Sequence, residues 1–119
     1  MTLYNAYKQT DHLEEVAFIA GTDFSIEFKV YDDENNPLNI SSFSIKWYLS
    51  PYGQPEHPIL EKDCVATGDY SFKVELSSHE SISLGGTYLQ QPELKSASGK
   101  IIRPGQGIVL IRKAIPSQN

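Results

Sequence analysis

Three stretches of this sequence alternate apolar and polar residues strictly. In Phe24 to Tyr31, Phe24, Ile26, Phe28 and Val30 alternate with Ser25, Glu27, Lys29 and Tyr31. In Phe43 to Ser50, Phe43, Ile45, Trp47 and Leu49 alternate with Ser44, Lys46, Tyr48 and Ser50. In Tyr70 to Ser77, Tyr70, Phe72, Val74 and Leu76 alternate with Ser71, Lys73, Glu75 and Ser77. Successive side chains of a strand point to opposite faces, so each stretch predicts a half-buried strand. A helix would scatter the same apolar residues around its circumference. Trp47 would be the largest single contributor to the core, on the order of 3 kcal/mol through apolar area alone.

The rest of the chain falls into place around these strands. Residues 1–12 are polar and mixed and read as an N-terminal arm. Leu13 to Ala20 predicts a first strand, ended by Gly21-Thr22. Asp32 to Pro37 predicts a turn, because Asn and Asp tolerate left-handed backbone and Pro37 presets φ. A calcium loop would need Gly at its sixth position and Glu at its twelfth, where this chain has Pro37 and Phe43. Pro51 to Pro58 is a loop with three prolines, and Ile59 to Ala66 an outer strand. Ser77 with Glu80 three residues on predicts a capped helical turn near residues 77–83, after which Ile82 and Leu84 would tuck inward. Thr87 to Gln91 is a strand that Pro92 bends or holds near an edge. Lys100 to Arg103, a type II turn at Pro104-Gly105 and a strand from Ile108 to Arg112 complete the pattern.

About seven to nine short strands with regular turns predict an all-β, immunoglobulin-like two-sheet β-sandwich over residues 13–115, with 116–119 as a C-terminal tail. A small β-barrel is the alternative. A chain of 119 residues is one ordinary domain and needs no disulfide or metal to fold. With one cysteine, Cys64, no intrachain disulfide can form, which agrees with a reducing compartment. The net charge of −5, with both signs interleaved and no basic stripe, argues against nucleic acid as a partner. Lys8, Asp11, Glu14 and Glu15 interrupt any apolar signal region, and the longest apolar runs are far too short to span a bilayer.

The order of these features resembles a phage structural module. The residues that carry the resemblance are Gly21-Thr22-Asp23, Asp32 through Pro37, Leu38-Asn39-Ile40-Ser41, Phe43 to Leu49, Tyr70 to Leu76, Leu84-Gly85-Gly86-Thr87-Tyr88 and Gly107 to Ile111. Over about residues 14–113 the chain is similar to the immunoglobulin-like N-terminal domain of phage baseplate upper proteins and related tail accessory proteins. It lacks the cysteine pair that antibody-type domains pack against a tryptophan like Trp47. The resemblance implies a virion component made in the bacterial cytoplasm, acting in assembly through contacts with further copies and with other virion proteins.

No catalytic constellation accompanies the pattern. His12, His57 and His79 are too far apart in sequence for a metal motif. Cys64 has no base beside it in sequence. Gly105-Gln106-Gly107 opens a strand, whereas a phosphate loop needs a helix to follow. The expectation is therefore a non-enzymatic protein with no cofactor. The outward tyrosines are the candidate partner contacts: Tyr4 and Tyr7 in the arm, and Tyr31, Tyr48 and Tyr52 near the central strands. An alternative function is a carbohydrate- or cell-surface-binding module with Tyr48 and Tyr52 as its platform.

Overall fold

The computed structural model describes residues 2–6, 11–12, 15–32 and 34–115, the first two segments as backbone only. The tail of 116–119, and Tyr7, Lys8, Leu13, Glu14 and Asp33 among the residues discussed above, lie outside them. The elements are β1 (Thr2–Ala6), β2 (Asp11–His12), β3 (Val16–Ile19), β4 (Phe24–Val30), β5 (Ser44–Pro51), β6 (Leu60–Ala66) and β7 (Ser71–Leu76). They continue with α1 (Ser78–Ser81), β8 (Gly86–Lys95), β9 (Ile101–Ile102) and β10 (Gly105–Arg112).

The three alternating stretches form β4, β5 and β7, and their apolar sets point inward as the pattern requires. Phe28 and Phe72 face each other in register across β4 and β7, with ring centroids 4.9 Å apart. Such cross-strand aromatic pairs stabilise a sheet on its buried face. Trp47 is buried at the centre of the core with Leu49, Ile45, Leu94 and Val109.

Strand order is β1-β4-β7-β6-β5-β8-β10, with β2 and β3 both parallel to β10 on its outer side. One layer is β1, β4 and β7; the other is β5, β8, β10 and β3. Strand β6 belongs to both. Leu60 to Cys64 pair with β5, and then Val65 and Ala66 pair with β7. The outer strand expected at Ile59 to Ala66 is thus the seam of the molecule. It joins the two sheets along one side, so its apolar residues alternate less clearly than those of a strand with one fixed buried face. Along the other side β1 pairs with β4, and β2 and β3 with β10. Among the described residues these two ends do not pair with each other, so the curled, two-layered sheet comes near to a barrel without closing.

The turns follow from local chemistry. Asp32 Oδ1 accepts from the backbone N–H groups of Glu34 and Asn36, both at 2.9 Å, and Asn35 takes a left-handed φ of 63°. The capping box forms as expected: Glu80 N–H donates to Ser77 Oγ and Ser77 N–H to Glu80 Oε1. Helix α1 is pinned by Ser81, whose buried hydroxyl accepts from Gly21 N–H at 2.9 Å and donates to Thr22 O at 3.2 Å.

Three local readings change. Gly105 has no positive φ and opens β10 instead of closing a type II turn; the left-handed glycine of this region is Gly99, in the turn at Ser96 to Lys100. Ile82 stays 58% exposed, lying over Gly21, while Leu84 packs against the core. Strand β8 is central, flanked by β5 from Tyr88 to Lys95. Pro92 is tolerated there because, on the other side, β10 pairs only up to Gln90 and β9 only from Leu94.

Candidate functional site

The outward face of the second sheet is a grid of polar side chains. Strand register puts Glu61 opposite Tyr48, and Tyr48 opposite Gln91. Gln106 on β10 extends this row, its amide donating to Gln91 Oε1 at 2.9 Å. The next row holds Asp63, Lys46 and Glu93. It is extended by Arg103, which pairs with Glu93 at 3.0 Å. Lys46 leans across to Glu61 at 3.1 Å. Alternation along β5, β6, β8 and β10 projects the groups on these strands to one side, opposite the core, and Arg103 joins them from the segment between β9 and β10.

The prolines of residues 51–58 make one wall of a cleft on this face. Ser50 Oγ donates to the backbone oxygen of Pro55 at 3.1 Å and ties the loop down. The cleft has a volume of about 200 Å³ and is lined by Tyr48, Leu89, Gln91, Glu93, Arg103 and Gln106, with Ser50, Pro55 and Pro58 at the loop side. Tyr48 is half-buried there. Burial, and then the charges of Glu93 and Glu61, push its phenol above the ordinary value, so it stays a neutral donor at physiological pH.

Among the described residues, Tyr31, Tyr48 and Tyr52 do not gather into one patch. Tyr52 sits in the loop, 60% exposed, and is not part of the cleft lining. Tyr31 lies at the end of β4, on the other sheet, where its ring is 5.8 Å from that of Tyr70. The backbone of Tyr4 is opposite Phe28 on β1, but its side chain, like all of Tyr7, lies outside the described residues.

A second, wider hollow of about 510 Å³ opens between β4, β7 and α1, beside Asp23, Lys62, Glu75 and Glu80. Of its charged groups, Asp23, Lys62 and Glu80 are committed to holding the fold. Asp23 Oδ1 accepts from Ser78 N–H at 2.6 Å, and Glu80 pairs with Lys62. Hydrogen bonds from Lys62 and from the Ser77 backbone hold the Glu80 carboxyl below its ordinary value. Cys64 is half-buried in β6, and burial, with Asp63 adding to it, pushes its thiol up to about 12. A thiol so protonated is a poor nucleophile. His57 is exposed in the loop, 3.6 Å from Glu56, and His79 sits in α1. Among the described residues no group of three or more His, Cys, Asp or Glu comes together to hold a metal, and no helix is long and apolar enough to cross a membrane.

Two features were missed in the sequence. Gln90 is fully buried and accepts the Trp47 indole N–H at 2.8 Å. Its inward position was signalled by its alternation with Tyr88 and Leu94. The members of the Tyr48 cleft come from three segments, and no local spacing announces them.

No family model and no curated protein matches the sequence. Solved structures do match the fold. The N-terminal domain of phage TP901-1 ORF48 superposes with a TM-score of 0.70 at 11% identity, over 95% of this chain and 100% of that domain. An engineered protein matches with a TM-score of 0.51 at 13% identity, over 86% of this chain and 18% of the other. What this chain shares with them is the fold.

Proposed function

We propose that this chain is a structural, non-enzymatic protein of a phage or prophage particle, in the tail or baseplate, and that it works by contacts with further copies and with other virion proteins. The observation that supports this reading most is the likeness of the whole domain, from end to end, to the N-terminal domain of a phage protein. The tail-module pattern of the sequence points the same way. The mechanism is addition at strand edges. Among the described residues strand β1 pairs with β4 alone, which offers its other main-chain edge to a strand of a neighbour. Closed rings are the common outcome of such repeated contacts.

The test is incorporation. Particles from cells producing a tagged chain are purified and quantified by mass spectrometry. A fixed stoichiometry in the particle is expected; absence from particles overturns the assignment. Deleting residues 1–12 is expected to reduce oligomer mass in light scattering and to lower incorporation. If both stay unchanged, the arm is not the contact.

A further inference from the structure

We infer that the cleft beside Tyr48 is a binding site for one ring of a neutral saccharide. Size is the first argument. About 200 Å³ lies below the roughly 300–1,000 Å³ of sites for larger small molecules. The space suits a single ring, with the rest of an oligosaccharide leaving past the loop.

Chemistry is the second. A sugar hydroxyl both donates and accepts, so it is matched best by a donor and an acceptor side by side. The Gln106–Gln91 hydrogen bond uses one amide N–H and one carbonyl oxygen. Whichever way round the two amides sit, an NH2 and a carbonyl oxygen remain, and among the described residues neither has another partner, so both are left for a ligand. Arg103 has five donors and Glu93 two acceptor oxygens, and their ion pair at 3.0 Å uses only part of each. These groups are planar, and Gln91, Glu93 and Gln106 are held on neighbouring strands at fixed spacing. The Tyr48 ring adds an aromatic surface for the C–H face of a sugar, and its hydroxyl a further donor.

Charge is the third. Among the described residues the nearby cations are already paired, Arg103 with Glu93 and Lys46 with Glu61, and Glu61 lies next to Tyr48 across β6, so a phosphate or carboxylate would meet carboxylates with no unpaired lining cation to offset them. An apolar peptide side chain would find Leu89 and the loop prolines but a polar floor. The site is therefore selective for neutral, hydroxyl-rich rings.

The experiment is amide NMR of the full chain titrated with neutral mono- and oligosaccharides, covering hexoses, pentoses and N-acetylhexosamines, with a sulfated sugar for comparison. Shifts are expected for at least one neutral sugar, confined to Tyr48, Gln91, Glu93, Arg103, Gln106 and the loop at 55–58. Tyr48→Phe should keep most of the affinity. Tyr48→Ala and the exposed Gln106→Ala should each weaken it about tenfold or more, with the spectrum otherwise that of a folded chain. No shifts at these amides across the panel, binding only of the sulfated sugar, or full binding by both alanine variants would each overturn the assignment. Because Gln106 is exposed, its variant tests the site even if Tyr48→Ala perturbs the sheet.

Discussion

Trp47 and Gln90 are the residue-scale commitment of this core. The indole N–H has its acceptor in Gln90 Oε1, but Gln90 Nε2 is buried without a partner among the described residues. An unpaired buried amide is costly, and it becomes costlier when its one partner goes. Trp47→Phe is therefore expected to destabilise by about 3 kcal/mol, from lost packing and from stranding the whole Gln90 amide. The double variant Trp47→Phe with Gln90→Leu should regain about 1 kcal/mol of that loss, since it removes both unpaired atoms together. Denaturant midpoints of the single and double variants check this; a double variant no more stable than Trp47→Phe would show that Gln90 is satisfied otherwise. Cys64 permits a second measurement. With its thiol at about 12, alkylation of the native chain at pH 8 should be on the order of a hundredfold or more slower than in denaturant.

At the scale of elements, α1 shows how a four-residue helix persists. It is too short to be stable by propagation. Ser77 and Glu80 cap it, Lys62 reaches it from β6, and Ser81 locks it to the β3–β4 turn. The lowered Glu80 pKa has a definite sign. The folded state prefers the carboxylate, so its contribution is fully present above the ordinary value of 4.5 and is lost as pH falls through the lowered folded value. Glu80→Gln keeps a capping-box residue but loses the charge. Its melting temperature should fall less steeply than that of the parent chain as pH drops below about 4.5. Equal slopes would mean that Glu80 does not hold Lys62 in solution. This element was legible in Ser77 and Glu80 alone, because a capping box is a contact between residues three apart. Ser81 was not, because its partners are sixty and fifty-nine residues away.

For the whole molecule, β6 is the decisive strand. Its first five residues extend one sheet and its last two the other. Asp63→Pro removes a backbone donor where β6 faces Lys46 on β5. It should abolish the cooperative melt or lower the midpoint strongly. Glu56→Ala, in the exposed loop, should shift stability by no more than about 0.5 kcal/mol. A folded, cooperative Asp63→Pro chain would mean the two sheets hold together without the seam.

Alternation, turn residues and caps depend on neighbours a few positions apart, so the amino-acid order alone sufficed for β4, β5 and β7, for the Asp32 to Pro37 turn, for the Ser77 cap and for the sandwich class. The seam role of β6, the central place of β8 despite Pro92, the buried Gln90 and the cleft joining Tyr48 to Gln91, Glu93, Arg103 and Gln106 depend on which strand lies beside which. That choice is set by packing between residues tens of positions apart, and no local pattern carries it.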